Sequence, residues 1–184
     1  MNKETRAFSF EVRADEDQEH GHFITGRPIV FGQETDLGFC SERIDPGALD
    51  KTDLKDVRFL IGHNTGMIPL ARSRNNNENS TMQLIPGDEG MDIRVDLDTE
   101  NNAEARALYS AVKRGDMSGM SFMFTVDKDS WDDVDTDSES PVRWLEQPEG
   151  HQRLAGLGCK AGLPPAEPLL PRAGFSPDSS TYSV

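Results

Sequence analysis

The sequence predicts an α+β domain, mainly an antiparallel β-barrel with one long and one short helix. About six to eight segments carry apolar residues at strand spacing, most regularly at residues 91–98, with turn residues between segments. Only residues 102–114 have the apolar stripe and basic end of a long helix. Asp45 and Pro46 can cap and begin a short helix that continues to about Asp53.

The expected strands lie on both sides of these helices. In chain order they are residues 7–12, 22–31, 57–63, 68–73, 81–85, 91–98, 120–126 and 142–146. Residues 57–63 are almost continuously apolar, as in a buried strand. From Met120 onwards every second residue is apolar, which places Ser121 on the opposite face, directed away from the core.

Beyond about residue 150 the composition changes to Gly, Ala, Leu, Pro and Ser without periodicity, and little fixed structure is expected. The predicted division is therefore a domain at residues 1–150 and an atypical, disordered or frameshifted tail at residues 151–184. The acidic loop at residues 127–139 is expected to be solvated.

Composition restricts the expected partners. The chain of 184 residues has a net charge of −14, and such a surface repels nucleic acid and anionic membranes. It shows no signal peptide and no apolar run that could span a membrane, so an intracellular protein is expected. Cys40 and Cys159 have no metal or redox spacing, and no cofactor is expected.

Several polar groups could carry chemistry. Ser121 on its strand could be a nucleophile, and His63 could remove its proton and later protonate a leaving amine. Alone, each also fits a structural hydroxyl or a packed histidine at a strand end. The pair His20 and His22 and the acidic run 127–137 lack the ligand spacing of zinc and calcium sites, so solvated loops are the better interpretation.

Five motifs occur in one order along the chain. They are GRPIVF at 26–31, ERIDPGAL at 42–49, DVRFLIGHN at 56–64, PLAR at 69–72 and KRGDMSGMSFMF at 113–124. Together, over roughly residues 22–127, they resemble the prohead (procapsid maturation) proteases of tailed bacteriophages. The resemblance implies a compact β-barrel with helices, similar to herpesvirus assembly proteases, and serine endopeptidase activity.

The resemblance also implies roles and partners. The family's histidine corresponds to His63 and its serine to Ser121, with Ser118 as the lesser candidate. The implied substrate is a phage scaffold protein or the scaffolding segment of the major capsid protein. It would be cut inside the assembling prohead, in the host cell cytoplasm. Related barrels act as dimers, which leaves a homodimer open.

Two departures from the family pattern affect the predicted site. Met123 stands where members usually carry glycine and would crowd the groove beside Ser121. The acidic residue that orients the histidine is expected near residues 154–158, where this sequence reads LAGLG. Glu146 is therefore the candidate for the third member, with Glu149 and His151 as alternatives.

The missing acid and the unusual tail lead to further hypotheses. The tail predicts a frameshift or truncation relative to a normal family member. A protease-like component that co-assembles with capsid protein without cutting is the alternative function. An acidic metal-binding module at residues 127–137 is a third.

Overall fold

The computed structural model describes residues 3–8, 12–19, 21–126, 128–132, 141–146 and 153–160. These residues form thirteen strands and one helix. The elements are β1 (Lys3–Phe8), β2 (Val12–Asp17), β3 (Gly21–Val30), β4 (Thr35–Asp36), β5 (Ser41–Ile44), β6 (Asp56–Ile61), β7 (Ala71–Arg74), β8 (Met82–Gly87), β9 (Gly90–Asp96), α1 (Ala103–Lys113), β10 (Gly119–Thr125), β11 (Asp129–Asp132), β12 (Val142–Leu145) and β13 (Arg153–Lys160).

The strands form three sheets. A five-stranded sheet has the order β1-β10-β13-β6-β7, and two four-stranded sheets have the orders β2-β3-β9-β8 and β11-β12-β5-β4. Two pairs are parallel, β13 with β6 and β12 with β5, and the remaining described pairs are antiparallel.

One apolar core lies between the sheets. Side chains at alternate positions of the five-stranded sheet, such as Phe59 and Phe122, join Ile24 and Met91 of the β2-β3-β9-β8 sheet in a single buried cluster. Period-two alternation explains why these strands fold with one face in the core. In β9 the prediction is confirmed, since its apolar residues are at most 1% exposed and its polar ones lie on the other face.

Helix α1 closes one side of this core through Ala105, Leu108, Tyr109 and Val112. The Asn102 side chain caps it by accepting hydrogen bonds from the backbone amides of the helix's first turn. The long helix predicted from the apolar stripe is therefore present. At eleven residues it is too short to cross a bilayer, and no other helix occurs in the described residues.

The predicted α+β class, the barrel and the second helix were wrong, because the described residues are mostly β-strand with one helix. The described strands form open sheets, and β1 and β7 are the edges of the five-stranded sheet. After Asp45 the chain makes successive turns, in which the Ala48 amide bonds the Asp45 carbonyl and the Thr52 amide bonds the Leu49 carbonyl. The Asp45 carboxylate also accepts from the Gly47 amide, which favours a turn over a continued helix.

The region after residue 150 contains a central strand. β13 lies between β10 and β6, whereas the sequence led us to expect little fixed structure there. Pairing on both sides supplies the backbone hydrogen bonds that the local sequence does not predict. The division of the chain at residue 150 stays a prediction, and residues 161–184 lie outside the described part.

Candidate active site

Ser121 lies in the middle of the five-stranded sheet. On one side it pairs with Ala7 of β1 and on the other with Gly158 of β13, and Gly158 pairs with Leu60 of β6. Paired residues place their side chains on the same face of a sheet. We call this face, opposite to Phe122 and defined by Ser121, Gly158 and Leu60, the serine face.

The hydroxyl of Ser121 is fully buried. The residue has 0% exposure, and its Oγ donates a long hydrogen bond of 3.4 Å to the Gly158 carbonyl. The predicted strand and the placement of Ser121 opposite Phe122 agree with the structure. Its position on that face does not expose it to solvent.

His63 lies two residues beyond β6, in a tight turn. Gly62 and His63 both have a φ of +57°, and the Asn64 amide donates to the Ile61 carbonyl at 3.2 Å. Two successive left-handed residues are typical of a type I′ turn. A left-handed histidine costs about 1–3 kcal/mol of backbone strain, and such strain is often found at functional sites.

Gly158 separates the serine from the histidine turn. A Cβ added to Gly158 would collide with the Leu60 carbonyl oxygen and would lie 3.8 Å from the His63 amide nitrogen. Neighbouring strands are about 4.8 Å apart, so the β10 and β6 backbones are about 10 Å apart.

Two apolar side chains cover the neighbouring part of the serine face. The Met123 Cε lies 3.5 Å and the Leu60 Cδ1 lies 3.6 Å from the position that a Cβ of Gly156 would take. Both side chains are buried, although neither belongs to the core cluster on the other face. Met123 therefore fills space beside Ser121, where the resemblance implies glycine.

Glu146 is held in a different sheet. It follows β12, and its Oε2 lies 3.1 Å from the Lys128 Nζ. The hydrogen bond from Ser130, followed by that from Lys128, lowers the pKa of the Glu146 carboxyl. These contacts engage the carboxylate away from β10, and its predicted role as the orienting acid stays untested. Glu149 and His151 lie outside the described residues.

β13 occupies the place where an orienting acid would be expected, between the strand of Ser121 and the strand that leads to His63. On the serine face this strand presents Gly156 and Gly158, which have no side chains. Its sequence, RLAGLGCK, contains no carboxylate.

Other candidate groups take structural positions. Ser118 is exposed and lies just before β10. The ring of His22 contacts Thr99 Oγ1 at 2.6 Å and Glu16 at 3.2 Å, while His20 lies outside the described part. Among the described residues no group of three His, Cys, Asp or Glu side chains could hold a metal ion.

The two cysteines are poor rivals to Ser121 as nucleophiles. Both are buried and free, and burial raises the pKa of the Cys159 thiol to about 12. The pKa of the Cys40 thiol is also raised, mainly by burial. A thiol is a good nucleophile only as the thiolate, so neither is activated.

An arginine cluster on the serine face was not predicted from the sequence. Arg58, Arg72, Arg74 and Arg153 lie there around the carboxylate of Asp56, and Asp53 forms an isolated bridge with Arg153. Alternation within β6 and β7 was the available signal. It could not be used without knowing that β6 pairs with β7 on one side and with β13 on the other.

Comparison with known proteins gives one match that covers most of the chain and several short ones. A segment of 43 residues, 23% of the chain, is 98% identical to Mediator of RNA polymerase II transcription subunit 26 from Bos taurus and 86% identical to that from Homo sapiens. The chain spans only 7% of the length of these curated relatives. No solved structure matches.

The long match is to a family of viral proteases. Residues 8–149 match the model of the caudovirus prohead serine protease, and this range includes β10, the histidine turn and the ordered motifs. The tail after residue 149, with β13, lies outside the matched range. The chain therefore belongs to the caudovirus prohead serine protease family.

Proposed function

We propose that this chain is a serine endopeptidase that cuts the scaffold protein, or the scaffolding segment of the major capsid protein, during prohead maturation. The observation that carries the proposal is the alignment of Ser121, Gly158 and the His63 turn across three adjacent strands. Only a glycine separates the strand of the hydroxyl from the turn of the imidazole.

In the proposed reaction, an imidazole nitrogen of His63 accepts the Ser121 proton while Oγ attacks the scissile carbonyl carbon. Backbone amides near the serine stabilise the oxyanion, and one such donor contributes about 3 kcal/mol. The imidazolium then protonates the leaving amine as the peptide bond breaks. Water, deprotonated by the same imidazole, hydrolyses the acyl-enzyme and restores the serine.

Substrate entry requires a local opening in this scheme. Ser121 is fully buried, and Met123 and Leu60 cover the adjacent part of the serine face. A peptide that reaches the hydroxyl must displace atoms near it.

The test is co-expression of the full chain with the capsid and scaffold proteins of its phage, followed by intact-mass analysis. Ser121→Ala and His63→Gln should abolish cleavage, whereas Ser118→Ala, the matched control at an exposed serine, should retain it. Thermal unfolding should show that Ser121→Ala still folds. Cleavage at the wild-type rate by Ser121→Ala would exclude Ser121 as the nucleophile.

Two observations favour a second candidate function, a protease-like assembly component that does not cut. Ser121 has no exposed surface, and β13 contributes no carboxylate near the histidine. Loss of the orienting acid from a triad lowers turnover by about 10⁴.

A fluorophosphonate probe separates the two functions. Covalent labelling of Ser121, located by peptide mass spectrometry and absent from Ser121→Ala, is expected of the protease. Failure to label, together with co-sedimentation of the chain with assembled capsid protein, would support the non-cutting component.

A further inference from the structure

The arginine cluster places positive charge on the same face as Ser121. Arg58 of β6 is level with Arg72 of β7, and Asp56 is level with Arg74. Arg58 is also level with Gly156 of β13, two residues from the row that contains Ser121. The Arg153 guanidinium lies 3.7 Å from the Asp56 carboxylate, which places it in the same cluster.

Among the described residues, only part of this positive charge has an acidic partner. Arg72 binds Asp56 with two hydrogen bonds of 2.6 and 2.8 Å, which lower the pKa of the Asp56 carboxyl. Arg58 and Arg74 are exposed, and neither forms an ion pair with a described residue. The four guanidinium groups, with the carboxylates of Asp53 and Asp56, carry a formal charge of +2, in a chain whose net charge is −14.

Such a reversal of charge beside a candidate active site attracts anionic groups to that site. Arginine is suited to this role because its planar guanidinium binds a carboxylate through two parallel hydrogen bonds. A long polyanion such as nucleic acid is disfavoured, because the rest of the surface repels it. A short segment with a few carboxylates matches both the sign and the extent of the cluster.

We propose that the arginine cluster binds acidic side chains of the substrate peptide, and this inference rests on the proposed function. Arg58 is two strands across and two residues along from Ser121, a separation of about 12 Å, and Arg74 is about 19 Å away. An extended peptide advances about 3.3 Å per residue. The preferred substrate therefore carries Asp or Glu about three to six residues from the scissile bond, on one side of it.

Peptide binding tests the cluster without catalysis. The full chain with Ser121→Ala is titrated against a fluorescein-labelled dodecapeptide of alternating Glu and Ala, and against its Gln counterpart. We expect the Glu peptide to bind about tenfold more tightly at low ionic strength, with the difference decreasing as salt is added. Arg58→Gln with Arg74→Gln should remove this preference.

The matched control is Arg27→Gln with Arg43→Gln. This control also removes two positive charges, but from ion pairs at the surface of the other two sheets. It should therefore keep the preference for the Glu peptide. Equal affinity for the two peptides, or equal loss in both double variants, would overturn the inference. So would a 12-base-pair DNA duplex that binds as tightly as the Glu peptide.

Cleavage of a randomised peptide library, read by mass spectrometry, separates this inference from the proposed function. Products that depend on Ser121 and are enriched in Asp and Glu three to six residues from the new terminus support the proposed function. If the Arg58→Gln, Arg74→Gln double variant loses this enrichment, they also support the acidic preference. Ser121-dependent cleavage without enrichment overturns the acidic preference alone. Absence of cleavage by the wild-type chain contradicts the proposed function, and with it this substrate preference.

Discussion

At the scale of single residues, Gly158 lies between the strand of Ser121 and the turn of His63 and has no side chain to hold them apart. We predict that Gly158→Ala destabilises the fold by about 1–3 kcal/mol, because the new Cβ would collide with the Leu60 carbonyl and push β6 away. Gly156→Ala is the matched control. Its Cβ would be at ordinary contact distance, 3.4 Å from the Arg58 carbonyl.

Urea unfolding measures both variants, and fluorophosphonate labelling of Ser121 reports on the site. Gly158→Ala should also slow labelling, because a shifted β6 carries the His63 turn with it. If the two alanine variants unfold at the same urea concentration, Gly158 does not set the spacing between the strands.

The position of Ser121 shows which properties of a residue a local pattern can predict. Alternation from Met120 was enough to place Ser121 on a strand and opposite Phe122, because strand side chains repeat with period two. Its complete burial was not predictable in this way. Burial depends on side chains such as Met123 and Leu60, which meet over a glycine that lies 33 residues after Met123.

At the scale of elements, β13 joins the two halves of the five-stranded sheet. Without it, β10 and β6 would each have an unpaired edge, and the buried residues Leu154, Leu157 and Cys159 would be absent from the core. We predict that a chain ending at residue 150 does not unfold cooperatively, whereas one ending at residue 160 does. Circular dichroism during urea titration measures this difference.

A chain of residues 1–150 that unfolds as cooperatively as residues 1–160 would contradict the central role of β13. It would support the sequence-based division at residue 150. The full-length chain is the reference for both truncations.

β13 also shows why part of the fold was not predictable. α1 and β9 have strong local periodicity and were predicted within about two residues of their ends. The segment RLAGLGCK has two interior glycines and no regular alternation, and glycine disfavours strands. It is a strand because β10 and β6 pair with it from both sides, which depends on contacts far apart in the sequence.

At the scale of the whole molecule, a partly buried network of charges connects two sheets. Arg6 of β1 and Arg143 of β12 both donate hydrogen bonds to Glu4 of β1 and to Glu42 of β5, which is 2% exposed. The network thereby ties the five-stranded sheet to the β11-β12-β5-β4 sheet. Its members come from three distant segments, so no single motif predicted it.

This network makes the stability of the fold depend on pH. The hydrogen bond from Arg143 is the largest cause that lowers the pKa of the Glu4 carboxyl below its ordinary value of 4.5. A carboxyl with a lowered pKa in the folded state stabilises the fold above its unfolded pKa. That contribution is lost as the pH falls through the folded pKa. We therefore predict that the urea concentration at the unfolding midpoint of the wild-type chain decreases as the pH is lowered from about 5 to about 3.

Glu4→Gln isolates the contribution of this carboxylate. The variant should be less stable than the wild type at pH 7, and the two should converge as the pH falls, because protonation removes the same charge from the wild type. Glu78→Gln, in the exposed loop between β7 and β8, is the matched control and should follow the wild-type curve. Curves that stay parallel would show that ionisation of Glu4 does not contribute to the pH dependence of stability. Convergence would show that the Glu4 carboxylate stabilises the contact between the two sheets only while it is ionised.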